Sequence, residues 1–109
     1  MDNTAFRTIL AEIASLLEIG HEKSLAAIVR NALSGSAKTI EDFLRSNELW
    51  GGAGSIADQP FTDNSVQRKE LEKLLIRLGR LQIHAGITNV RTGTWVATFE
   101  KWQQLGLRK

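Results

Sequence analysis

Two histidines are the side chains of this sequence best suited to metal binding or proton transfer. Glu18 and His21 have the Glu-x-x-His spacing with which di-iron helical bundles bind metal. Such a site needs a second copy of the motif, but Leu81 stands where a glutamate should precede His84. Gly20 also interrupts the helix that would align Glu18 with His21. We therefore predict no metal site.

Nucleophilic and carboxylate chemistry find little support in the sequence. There is no cysteine, no Gly-x-Ser-x-Gly motif and no Ser-x-x-Lys motif. Glu41 and Asp42 are adjacent, so on a helix they diverge by about 100° and form no acid dyad. A Ser–His–Asp site assembled from distant residues stays open, because spacing does not reveal one. We predict that the protein is not an enzyme and binds no cofactor.

A glycine-rich segment invites comparison with phosphate-binding loops. Residues 49–58 read LWGGAGSIAD, with three glycines in four positions. A P-loop follows a strand and places lysine and then serine or threonine after its last glycine. Here Ser55 follows Gly54 directly, and no strand pattern precedes Gly51. The dinucleotide fingerprint is absent as well, so the segment does not indicate a nucleotide site.

The same segment fits a compact structural turn. Ser55 and Asp58 have the spacing of a capping box, in which the serine hydroxyl accepts a hydrogen bond from the N–H three residues on. Glycines adopt positive φ there at no steric cost, and Trp50, Ile56 and Phe61 are expected to anchor the turn on the core. Two other interpretations stay open, namely a protein-binding surface and an anion site formed by free backbone N–H groups.

These residues also carry a resemblance. LWGGAGSIAD, followed by a long helix and by GI-x-x-VR-x-x-x-WV at residues 86–96, resembles a family of small uncharacterised bacterial helical proteins with a WGGxGSxxD loop. The resemblance covers residues 45–105 and implies no activity. By analogy with small helical immunity proteins, it suggests an immunity-like role of binding and masking a toxin or another protein.

A row of basic residues follows the longest predicted helix. Lys73, Arg77, Arg80 and His84 recur at steps of four, three and four residues, so they share one edge that Arg91 extends. Together with the glycine-rich segment, this basic edge predicts a surface for another protein. The predicted partner-binding residues are Trp50, Gly51, Gly52, Gly54, Ser55, Asp58, Arg77, Arg80 and Arg91. The alternative is a nucleic-acid interface on the basic edge, although no aromatic residues alternate with the cations for base stacking.

Charge and composition limit the possible partners and the possible cellular location. The net charge is +2, but residues 1–64 carry −4 and residues 65–109 carry +6. The two halves can neutralise each other by packing, or the second half can meet an acidic partner. No apolar run reaches the ~20 residues of a membrane span, and the start MDNTAFRTIL is unlike a signal peptide. The lack of cysteine is typical of a cytoplasmic protein, so we expect a cytoplasmic location and no membrane partner.

Helical periodicity predicts the elements that position these residues. Apolar residues recur at three- and four-residue steps, and glycines lie mostly at segment ends. The predicted helices span residues 3–19, 22–34, 37–46, 63 or 64 to 86, and 93–105, with a loop over 47–63. We predict an all-α fold with a single domain over residues 1–109, a bundle of about five helices with a long central fourth helix.

Helix ends and internal glycines give predictions that the structure can test. Gly20 is expected in the left-handed region after the first helix, and Ser36 is expected to cap the third. Asn64 and Gly86 are expected to bound the fourth helix. Gly79, in the middle of that helix, indicates either a close helix crossing or a tolerated cost of about 1 kcal/mol.

Large apolar residues give a second set of predictions. Trp95 and Trp102 are expected in the core, whereas Trp50 fits either the core or a binding surface. The fourth helix has one apolar stripe of leucines and a separate one of isoleucines. The isoleucine stripe comprises Ile76, Ile83 and Ile87. Two apolar faces place this helix centrally, with neighbours on both sides, and also allow a homodimer.

Overall fold

The structure, a computed structural model, describes residues 3–52, 54–61 and 64–105. Within these ranges lie six helices: α1 (Thr4–Ile19), α2 (Lys23–Leu33), α3 (Ala37–Leu44), α4 (Asn47–Trp50), α5 (Ser65–Ala85) and α6 (Thr92–Gln104). The same residues contain no strand, which confirms the predicted all-α class. Five helices correspond to the predicted ones. The sixth, α4, is a single turn at the start of the segment predicted as a loop.

Three predicted helix ends are confirmed. The Ser36 hydroxyl accepts a hydrogen bond from the Thr39 N–H at 3.3 Å and begins α3. The Asn64 side chain accepts from the Gln67 N–H at 3.0 Å and begins α5, while residue 63, the other predicted start, lies outside the described residues. Gly86 ends α5 in the left-handed region at φ 74°. Local sequence signals therefore set these boundaries.

The turn between α1 and α2 corrects one prediction. Gly20 has φ −84°, and the left-handed residue is His21 at φ 64°. Gly20 is required for space instead, because a Cβ at that position would overlap the ring of Phe61. The glycine thus serves a contact with a residue far along the chain rather than the local turn. His21 takes the strained conformation that a glycine would adopt freely.

The two longest helices form the middle of the bundle. α1 packs against both α2 and α5, and α5 also packs against α6. α1 and α5 run antiparallel, since Ala5 lies beside Leu81 at one end of the pair and Ile19 lies beside Gln67 at the other. α5 has 21 residues, against 16 in α1. The central position predicted for this long helix is therefore observed.

The core is one apolar cluster to which the helices and the glycine-rich segment contribute. Leu71, Leu75 and Leu78 of α5 are fully buried, as the leucine stripe predicts. The isoleucine stripe is only partly buried, because Ile83 is 49% exposed whereas Ile87 is buried. Among the described residues, each helix is too short or too polar to cross a membrane.

Candidate functional site

The glycine-rich segment begins with a helical turn that positions Trp50 inside the protein. The Trp50 side chain is fully buried, and its Nε1 donates to Oε1 of Gln82 at 2.9 Å. Its backbone carbonyl accepts from Nε1 of Trp95 at 2.9 Å. Of the two positions predicted for Trp50, the core and a binding surface, the structure therefore shows the core. Trp95 and Trp102, predicted in the core, are only half-buried.

Gly79 explains how the Trp50 ring fits against α5. A Cβ at Gly79 would overlap Cγ2 of Val96 and lie 3.4 Å from the Trp50 ring. Of the two interpretations of this glycine, the close helix crossing is the one observed. α5 and α6 approach each other at Gly79, and the indole covers the same point.

The Gln82 side chain forms hydrogen bonds with the Trp50 indole and with two backbone carbonyls. Its Nε2 donates to the carbonyl of Leu44 at 2.8 Å and to the carbonyl of Ile87 at 2.9 Å. The side chain is fully buried, so these bonds replace water that cannot enter. Gln82 is not among the residues predicted from the sequence. The one available signal is a polar residue on the buried side of a helix, one turn after Leu78.

The capping box predicted at Ser55 does not form. The Ser55 hydroxyl donates to the carbonyl of Gly51 at 2.7 Å, and the Asp58 N–H bonds the Ser55 backbone carbonyl at 3.1 Å. Ser55 is buried, so its hydroxyl pairs with the nearby loop carbonyl rather than with a helix N-terminus. The turn is structural, as one interpretation held, but a different set of bonds closes it.

The backbone N–H groups that an anion site would use are largely occupied. Those of Ile56 and Ala57 donate to the carbonyls of Glu48 and Leu49, both at 2.9 Å. The N–H groups of Ser55, Asp58 and Gln59 also bond loop carbonyls. The N–H groups of residues 55–59 are therefore not available to a phosphate or a carboxylate. The geometry therefore does not favour the anion interpretation.

Arg68 of α5 forms hydrogen bonds with the loop at the end of the glycine-rich segment. Its Nη2 donates to the carbonyl of Ala57 at 2.6 Å and its Nη1 to the carbonyl of Pro60 at 3.2 Å. Its Nε donates to Oε2 of Glu72 at 2.9 Å, and both side chains are buried. The guanidinium also lies 5.5 Å from the ring centroid of Phe99. This buried ion pair is not among the features predicted from the sequence, although the i,i+4 spacing of arginine and glutamate indicates it.

Part of the predicted surface does face solvent near the glycines. Gly54 is exposed at φ 87°, while Gly52 and Asp58 are half-buried. Arg91 is exposed, and its Nη1 would lie 3.8 Å from a Cβ at Gly52. The structure thus brings Arg91 to the glycine-rich segment. Trp50, Gly51 and Ser55 are buried, so they offer a partner little surface.

The predicted basic edge lies exposed along α5. Arg77 pairs with Glu12 of α1 at 3.5 Å, and Arg80 pairs with Glu100 of α6. Lys73 lies 3.6 Å from Glu70 within its own helix. Arg77 and Arg80 therefore reach across to the helices on either side of α5. Each of these cations already has a carboxylate neighbour.

Arg77 and Arg80 border a groove that the sequence analysis did not predict. The groove has a volume of about 530 Å³ and is lined by Ala5, Thr8, Ile9, Arg77, Arg80 and Leu81. It shares Thr8 with a second depression along α1, of about 600 Å³, lined by Thr8, Ala11, Glu12, Ser15, Leu16 and Ile19. We call these two connected depressions the α1–α5 groove. Ile19, at its far end, is 70% exposed.

The histidines and paired carboxylates stand apart from one another. Glu18, from the Glu-x-x-His motif, pairs with Arg30 at 2.9 Å, and the hydrogen bond from that guanidinium lowers the pKa of the carboxyl. Glu41 pairs with Arg45 at 3.1 Å and Asp42 with Lys38 at 3.0 Å. Within the described part of the chain, no cluster of histidine and carboxylate side chains has the geometry of a metal site.

Comparisons with known proteins do not assign the chain to a family. No protein-family model, curated protein or solved structure matches the chain. The resemblance carried by the WGGxGSxxD loop therefore stays a prediction, and the functional argument rests on the groove and the basic edge.

Proposed function

We propose that this chain is a non-enzymatic protein-interaction domain and that its partner binds in the α1–α5 groove. The observation that supports the proposal is an open, largely apolar groove bordered by two exposed arginines. This proposal keeps Arg77 and Arg80 of the predicted surface and replaces the buried Trp50 with the outer face of α1. An immunity-like role, in which the bound protein is a toxin, is one form of the proposal and rests on the resemblance.

The floor of the groove offers apolar surface to a partner. Leu81 and Leu16 are half-buried, and Ile19 is largely exposed, so these side chains still lose water contact when a partner covers them. Removing apolar surface from water contributes about 25 cal/mol per Å². A groove of this kind, with a few polar groups at its rim, is the usual form of a recognition site.

The rim supplies side chains suited to a binding hot spot. Arg77 and Arg80 are 59% and 68% exposed, and each guanidinium has five donors, of which one ion pair uses a part. Arginine is enriched among the residues that dominate binding energy at protein interfaces. Both arginines can therefore bind a partner while keeping the fold intact.

The proposal is tested by photo-crosslinking from inside the groove. A photoreactive amino acid replaces Thr8, which is exposed in the groove, in the full chain expressed in its native cell. The control carries the same group at Val90, which is 94% exposed and lies outside the groove. We expect one protein to be linked at Thr8 and not at Val90. Equal labelling at both positions, or none at Thr8, would overturn the proposal.

Nucleic acid is the competing candidate, and the row of cations on α5 favours it. Exposed Lys73, Arg77, Arg80 and His84 follow one edge, as a phosphate-contacting strip would. The neighbouring carboxylates of Glu70, Glu12 and Glu100 reduce the positive field along that strip. Binding through phosphates should weaken steeply with salt. Fluorescence anisotropy with duplex and single-stranded DNA or RNA at about 50 mM salt decides this, and no change would exclude it.

A further inference from the structure

We draw no further inference here: the strongest candidate, the cavity of about 460 Å³ that Asp42 and Glu48 border between α2, α3 and α4, carries nothing, because Asp42 already pairs with Lys38 and nothing among the described residues shows what would fill it.

Discussion

The glycine-rich segment and the α1–α5 groove use polar side chains in opposite ways. At the segment, the Trp50 indole and the guanidinium of Arg68 from α5 are buried and donate to buried amide and carbonyl oxygens. In the groove, Arg77 and Arg80 are exposed and pair with the exposed Glu12 and the half-buried Glu100. Buried bonds are costly to break, whereas exposed ion pairs contribute about 0–1 kcal/mol each. The glycines therefore mark a tightly fixed part of the fold, and the surface suited to a partner lies on helices without unusual sequence.

The largest effect is expected from Trp50→Ala. The indole is fully buried and its Nε1 bonds Gln82, so truncation leaves a cavity and an unpaired amide oxygen. We expect a loss of about 5 kcal/mol in unfolding free energy, measured by urea denaturation. Trp102→Ala, at a half-buried site, is the matched control and should cost about 2 kcal/mol.

A milder change keeps this comparison measurable if Trp50→Ala does not fold. Trp50→Phe retains most of the ring but removes the donor to Gln82, and we expect about 1–3 kcal/mol of destabilisation. Crosslinking from Thr8 should persist in this variant wherever it is folded. Loss of crosslinking by a folded Trp50→Phe protein would show that the glycine-rich segment takes part in binding after all.

The next effect is expected at the Arg68–Glu72 pair. Arg68→Met removes the guanidinium from three loop carbonyls and from the buried Glu72 carboxylate. Breaking a buried pair in this way costs about 3–5 kcal/mol. The double variant Arg68→Met/Glu72→Met should recover more than half of that loss, because both charges of the pair are removed together. Additive losses in chemical denaturation would show that the carbonyl bonds of Arg68, rather than its pairing with Glu72, dominate.

Gly79→Ala tests the close crossing beside Trp50. The new Cβ would overlap Val96, so we expect a loss of about 1–3 kcal/mol despite the better helix propensity of alanine. Gly93→Ala in α6 is the matched control, since a Cβ there meets nothing within 4 Å. It should stabilise the protein by a few tenths of a kcal/mol or more. Thermal unfolding of both variants gives the comparison, and a stabilised Gly79→Ala protein would contradict the crossing.

Local signals in the sequence predicted the elements but not the bonds between them. Ser36, Asn64 and Gly86 act within one helical turn of themselves, so their roles can be deduced from neighbouring residues. Gln82 bonds Trp50 across 32 positions, and no pattern along the chain reveals that contact. Gly20 shows the same limit. Its neighbours suggest a left-handed turn, whereas the ring of Phe61 determines why glycine is there.

The same distinction between local signals and long-range contacts applies to the candidate site. Arg77 and Arg80 could be predicted as an exposed pair because helical spacing places them on one edge. The groove beside them could not, because it depends on how α1 lies against α5. Ala5, Thr8, Ser15 and Ile19 follow the outer face of α1 at helical spacing, but small and polar residues there are also typical of an ordinary solvated face.

The smallest effect on stability is expected from Arg77→Glu/Arg80→Glu. Both side chains are more than half exposed, so losing their ion pairs should change the unfolding free energy by less than about 1 kcal/mol. Binding in the groove should nevertheless be lost, because the variant removes both guanidinium groups from the rim. Lys38→Glu, at an 81% exposed cation paired with Asp42, should cost equally little and leave binding intact. A loss above about 2 kcal/mol in the double variant would mean that the arginines hold α5 against its neighbours. The groove rim would then resemble the buried bonds of the glycine-rich segment, and the contrast between the two regions would fail.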